Sequence, residues 1–275
     1  MKRLLLLVGL LAVLVTSCGG GGQPLIGIRA SSDTAVGDPR FLFAVNELDG
    51  TRRGGPDEHV HVTATKLDDP SRVIDADASF VWIVPDVTGL YRVDLPFDAA
   101  GRWQIDFTIS TGESTDPFLL DVQAEPATVA IGEAAPMVAT ASTAATPIGD
   151  LTTDDDPDPD LYTASLDELL HNGRPTVALF ATPAFCVSAA CGPLLDQMKT
   201  LAADHPDTDF VHVEVYQGFN EPGFKPDRDH LVPAVVAFGL PSEPWMFVMD
   251  GDGTVVARFE GVLGEGELDA VLEGL

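Results

Sequence analysis

The chain has 275 residues, and 45% of them are hydrophobic, enough for two modest domains each with its own core. Lys and Arg number 15 against 43 Asp and Glu, a formal net charge of −28. Binding nucleic acid requires neutralising phosphates with Lys and Arg, so this balance excludes nucleic acid as a partner and fits a solvated surface outside the cell.

Lys2 and Arg3 precede an apolar run of 12 residues, Leu4 to Val15. A membrane-spanning helix needs about 20 residues, so the run fits the apolar region of a secretory signal. The string Val15-Thr16-Ser17-Cys18 resembles a bacterial lipobox. That resemblance implies a signal peptide over residues 1–17, cut before Cys18, whose thiol carries diacylglycerol. Residues 18–24 then form a tether, with glycine at 19–22. The implied partner is a membrane, reached through the lipid anchor, and the implied location is its outer, extracytoplasmic face. Acyl chains anchor firmly, because each buried CH₂ contributes about 0.8 kcal/mol. The alternative is an ordinary signal peptide with an incidental cysteine.

Residues 25–124 read as β structure. "LIGIRA", "RFLFAVNEL", "HVHVTATKL", "SFVWIV", "GLYRVDLPF", "GRWQIDFTIS" and "PFLLDVQA" are short, rich in β-branched and aromatic residues, and punctuated by Gly, Pro and Asp. Several alternate with period two. Strands of this kind in about 100 residues predict an all-β, immunoglobulin-like antiparallel sandwich. The run "GLYRVDLPFDAAGRWQIDFTI" resembles the YtkA-like and FixH-like extracytoplasmic sandwich domains, where a "Y…F…GRW" hairpin is typical.

Residues 125–160 read as a linker, rich in Ala, Thr and Pro and ending in "DDDPDPD". Its Ala/Thr part either wraps over the next domain or stays free. Residues 161–275 change character. "SLDELLHNG" predicts a short helix with Ser165 as N-cap, Glu168 at the capping-box position and Gly173 as its stop. "PTVALFAT" predicts a buried strand, and "GPLLDQMKTLAADH" an amphipathic helix with Pro193 in its first turn. A strand "DFVHVEVY", a short helix near Pro233, a hairpin "WMFVMDGDGTVVARFEG" turning at "DGDG", and a closing helix "GEGELDAVLEGL" follow.

The chemistry centres on "ATPAFCVSAACGP". With Cys18 set aside, Cys186 and Cys191 form a lone pair, which an extracytoplasmic compartment makes disulfide-competent. Cα atoms five residues apart on a continuous helix are about 8 Å apart, whereas a disulfide needs roughly 4.4–6.8 Å. The intervening "VSAA" must therefore loop if the pair is to bond. Gly192-Pro193 marks the helix start, and a thiolate at Cys191 lies beside its positive end.

The strand ending "LFATPAFC", the helix starting "GPLLDQ" and the late "LPSEPWMFVMDGDGTVVARFEG" together resemble the thioredoxin-like superfamily, nearest its TlpA-like branch. The resemblance implies an α/β thioredoxin-like fold and exchange with extracytoplasmic protein thiols or disulfides, without a cofactor. It also implies a cis-proline at Pro244 that positions substrate backbone. The family pattern is C-x-x-C, whereas this chain has C-x-x-x-x-C, so two registers fit. Cys186 takes the nucleophile position with Cys191 displaced, or Cys191 keeps the position before Gly-Pro with Cys186 as an added partner. The helix-start argument favours attack by Cys191 and resolution by Cys186.

Two other readings of the pair belong to a different class, a non-catalytic binding module. Sco-type copper chaperones use two cysteines and a distant histidine, and His230, in the inserted "QGFNEPGFKPDRDHL", is the matching candidate. Otherwise the pair is a structural disulfide in a partner-docking lipoprotein. Elsewhere, His59 and His61 share a face if "HVHVTA" is a strand, and two ligands leave a metal site incomplete. "DDDPDPD" and "DGDG" lack the ligand spacing of a calcium loop. No nucleotide-binding glycine loop, GxSxG elbow or HExxH helix is present.

Overall fold

The computed structural model describes residues 25–275. The expected signal peptide, Cys18 and the expected tether lie outside the described residues.

Nine strands form the first sheet. They are β1 Leu25–Arg29, β2 Arg40–Glu47, β3 Arg52–Arg53, β4 Val60–Lys66, β5 Val73–Val84, β6 Thr88–Asp94, β7 Gly101–Ile109, β8 Thr115–Asp116 and β9 Phe118–Val122. The order is β8-β1-β2-β6-β5-β4-β7-β9, with β3 on β2. All pairings are antiparallel except β1 with β8. Strands β8 and β9 are separated only by Pro117, so the two ends of the order meet and the sheet curls into a barrel-like sandwich. Strand β5 joins its layers: Val73–Ala78 pairs with β4, and Ser79 onward pairs with β6. The period-two alternation drives this. Val60, Val62 and Ala64 point inward on β4 and Trp103, Ile105 and Phe107 on β7, all essentially inaccessible to solvent. Phe43 and Phe107 stack at 4.0 Å between centroids in the middle of that core.

The second sheet has four strands: β10 Thr176–Ala181, β11 Asp209–Glu214, β12 Trp245–Met249 and β13 Val255–Glu260. Their order is β11-β10-β12-β13, parallel between β10 and β11 and antiparallel elsewhere. Every residue of β10 is buried, as expected of a central strand covered on both faces. Helices α1 Leu166–Leu169 and α3 Pro233–Ala237 lie in the core on one face, and α2 Cys191–Asp204 and α4 Glu267–Leu272 in the core on the other. The predicted capping box is present: Glu168 accepts the Ser165 N–H at 3.1 Å.

The linker wraps over the second sheet. Val129 N–H donates to Phe238 O, Gly132 N–H to Val255 O, and Ala135 N–H to Gly253 O. Two clamps join the sheets. Arg258 of β13, 1% exposed at its side chain, bonds Asp33 at 3.0 Å and Asp38 at 2.6 Å. Arg40 of β2 bonds Glu267 at 3.1 Å and the carbonyl of Val262 at 2.6 Å. No helix among the described residues is long and apolar enough to cross a membrane.

Candidate functional site

Strand β10 ends at Ala181, and the chain leaves the sheet through a turn at Pro183–Phe185. It then loops over Cys186–Ala190 before α2 begins at Cys191. Ala189 takes a left-handed φ of 59°, which reverses the loop. The looping brings the Cα atoms of Cys186 and Cys191 to 6.0 Å, and the two sulfurs form a disulfide.

The two cysteines differ in surroundings. Cys191 is fully buried, on the face of α2 that also carries Leu194, Leu195 and Met198. Cys186 is half-buried at the surface. Its Sγ accepts the backbone N–H of Cys191 at 3.3 Å and lies 3.3 Å from Ser188 Oγ. The N-terminal N–H of a 14-residue helix, with no acidic residue in its first turn, is thus aimed at the sulfur of Cys186. Cys191 lies in the core, and half-buried Cys186 carries the sulfur that meets the positive helix end. The sequence carried the signal, because Cys191, Leu194, Leu195 and Met198 fall at the spacing of a buried helical stripe.

The Glu243–Pro244 bond is cis. Phe180 pairs with Trp245, so the register sets Pro244 at the end of β12 beside the end of β10, where the cysteine loop leaves the sheet. His230 is not gathered with the cysteines. It bonds Asp227 Oδ1 at 2.7 Å through Nδ1 and lies edge-on to Phe224 at 5.0 Å. Phe224 in turn packs on Phe185 at 5.1 Å, so the inserted segment reaches the cysteine loop through an aromatic contact. Among the described residues no group of three His, Cys, Asp or Glu side chains is arranged to hold a metal ion. His61 projects from the exposed face of β4 toward Asp77 at 2.9 Å, and that hydrogen bond raises its pKa.

Beneath the loop lies a buried polar cluster that sequence reasoning missed. His212 of β11 has Nε2 3.1 Å from the carbonyl of Ala181 and Nδ1 2.7 Å from the Tyr162 hydroxyl. A carbonyl only accepts, so Nε2 carries the proton and Nδ1 accepts from Tyr162. Complete burial pulls the His212 pKa down to about 4, which keeps the ring neutral. Burial raises the pKa of Tyr162. Glu214, paired in register with Ala181, accepts the Thr153 N–H and hydroxyl, both at 2.8 Å. Thr153 Oγ1 also accepts the Ala184 N–H at 3.1 Å. Burial raises the Glu214 pKa against these hydrogen bonds. The linker thus braces the turn that precedes Cys186.

The chain matches no protein-family model and no curated protein.

Proposed function

We propose that this chain is an extracytoplasmic thiol–disulfide exchange protein, held to the membrane by lipid on Cys18, with residues 161–275 acting as a thioredoxin-like module. The observation that carries the reading is the asymmetry of the pair. Cys186 is half-buried, with its Sγ hydrogen-bonded to the first N–H of α2, while its partner Cys191 is fully buried. An exchange pair needs one sulfur open to a partner and one that only its neighbour can reach. The helix N-terminus stabilises the thiolate at the open position. A purely structural clip gains little from so short a loop, because closure entropy grows with loop length.

The chemistry is balanced by the pair alone. In the reduced chain, the Cys186 thiolate attacks a sulfur of the partner's disulfide. That S–S bond breaks, and its electron pair leaves on the partner's second sulfur. Cys191 then loses its proton and attacks Cys186 Sγ in the mixed disulfide, which releases the partner as a dithiol. The chain ends with the Cys186–Cys191 disulfide, and every step runs in reverse when the partner arrives as a dithiol. Pro244, at the sheet end beside the loop, is the residue assigned to align the partner's backbone.

The test is the reduction potential of the pair, by equilibration against glutathione or dithiothreitol. A value between about −120 and −270 mV is expected, and a value below about −300 mV would mark a structural disulfide instead. Cys191→Ser is expected to trap a partner in a mixed disulfide on Cys186, and Cys186→Ser to trap none.

A further inference from the structure

We propose that the trough between α2 and the Leu263–Asp269 segment, headed by the end of β5, docks an extended, basic polypeptide segment bearing the partner's cysteine. The proposal rests on the exchange reading of Cys186–Cys191 and gives the sandwich a part in it.

Three adjoining cavities make the trough, and Gln197 and Leu263 line all of them. The largest, about 610 Å³, lies where Trp82, Ile83 and Pro85 of the sandwich face Pro193 and Gln197 of α2. The smallest reaches Ala190, the residue before Cys191. The third, about 250 Å³, continues along α2 to Leu201. From Ala190 to Leu201 the helix rises about 16 Å, which about five residues of extended chain would span. The trough therefore begins at the helical turn whose first N–H meets Cys186 Sγ and has the length of a short peptide.

Its walls are apolar at the sandwich end. Trp82 is 37% exposed there, whereas Trp103 and Trp245 are buried in the cores. Its charged rim is acidic throughout: Asp196, Glu265 and Asp269 line the cavities, and no Lys or Arg does. Asp196 is paired with Lys199 and Asp269 with His205, while exposed Glu265 has no ion-pair partner among the described residues. A chain of net charge −28 repels a second copy of itself and an acidic segment, and attracts a basic one. An apolar side chain beside Trp82 with Lys or Arg along the rim satisfies both walls.

The test uses the full oxidised chain and three reductants. They are dithiothreitol, a cysteine peptide of apolar residues flanked by Lys and Arg, and the same peptide flanked by Asp and Glu. The basic peptide is expected to reduce the disulfide about tenfold faster than the acidic one at low salt, with the gap closing as salt is added. Trp82→Ala and Glu265→Lys are each expected to lower the basic-peptide rate relative to the dithiothreitol rate. Equal rates for the two peptides, or a ratio that both variants leave at its wild-type value, would overturn the proposal. A disulfide inert even to dithiothreitol would overturn the exchange reading. Docking is then decided separately, by titrating the basic peptide with Ser in place of Cys and following Trp82 emission, with Trp82→Phe as the control. Saturable binding weakened by Glu265→Lys sustains the trough as a docking site, and no binding removes it.

Discussion

His212 differs from the other histidines among the described residues because both ring nitrogens are engaged and the ring is buried. Its pKa of about 4 in the folded chain lies below the ordinary 6.5, so the folded state refuses a proton that the unfolded state accepts. Above pH 6.5 both states are neutral and the group is indifferent. As pH falls from 6.5 toward 4, the unfolded state gains the proton and stability is lost, on the order of 3 kcal/mol in all. Below that window no further loss arises from this residue. The raised pKa values of buried Glu214 and Glu260 act in the opposite sense, since the folded state protonates them first. Comparison with His212→Gln isolates the histidine. Urea unfolding is expected to show wild type well ahead of the variant at pH 7 and the gap narrowed near pH 4.5. A gap that does not change with pH would mean that His212 titrates in the folded state as it does in the unfolded one.

The linker shows at the level of elements what a loop without strands of its own can still do. It runs along the second sheet through backbone hydrogen bonds, and it passes Gly239 at a point where no side chain fits. Gly239 has a left-handed φ of 70°, and a Cβ there would lie 2.3 Å from the Ala127 carbonyl oxygen. Both the strain of that φ and the backbone clash resist a side chain, so Gly239→Ala is expected to cost about 1–3 kcal/mol. The expected readout is faster proteolytic cleavage between residues 125 and 140, with the disulfide loop unaffected. The strands on either side were legible because their alternation is local. Strand β5 was legible only from Ser79 onward: "VIDADA" alternates Asp with apolar residues, and Asp is a poor strand former unless its side faces water. The cysteine spacing shows that a loop is needed, and the burial of Cys191 follows from the helical stripe it shares with Leu194, Leu195 and Met198. The polar cluster could not be read at all. Tyr162 and His212 are 50 residues apart, and Thr153 and Glu214 are 61 apart, so only the tertiary fold introduces them.

For the whole molecule the decisive question is whether the sandwich and the second sheet behave as one body, because the docking trough has a wall from each. Arg258 answers it most directly. Its guanidinium donates to Asp33 at 3.0 Å, to Asp38 at 2.9 and 2.6 Å, and to the Thr128 hydroxyl, all with 1% of its side chain exposed. Asp33 also accepts the N–H groups of Ala127 and Thr128, each at 3.0 Å. Burial alone would raise the Asp33 pKa, but those donors and Arg258 outweigh it and lower the value. The clamp is therefore at full strength above the ordinary carboxylate range and weakens only as pH falls below it. Truncating the arginine leaves two carboxylates facing each other without their cation, and breaking a buried pair in this way costs roughly 3–5 kcal/mol. Arg40 and Glu267 form a second tie, so the sheets should separate only in part when the first is cut. Calorimetry of the wild-type chain is expected to show a single cooperative transition. Arg258→Ala is expected to lower it and split it in two, the earlier step matching loss of the sandwich wall. Arg258→Met keeps the packing volume but not the charge, and is expected to fall between them. A single transition in Arg258→Ala, shifted by no more than a degree or two, would mean that the remaining ties, Arg40 to Glu267 and Ser32 to Glu260, hold the sheets together without Arg258. The trough would then owe nothing to the ion clamp.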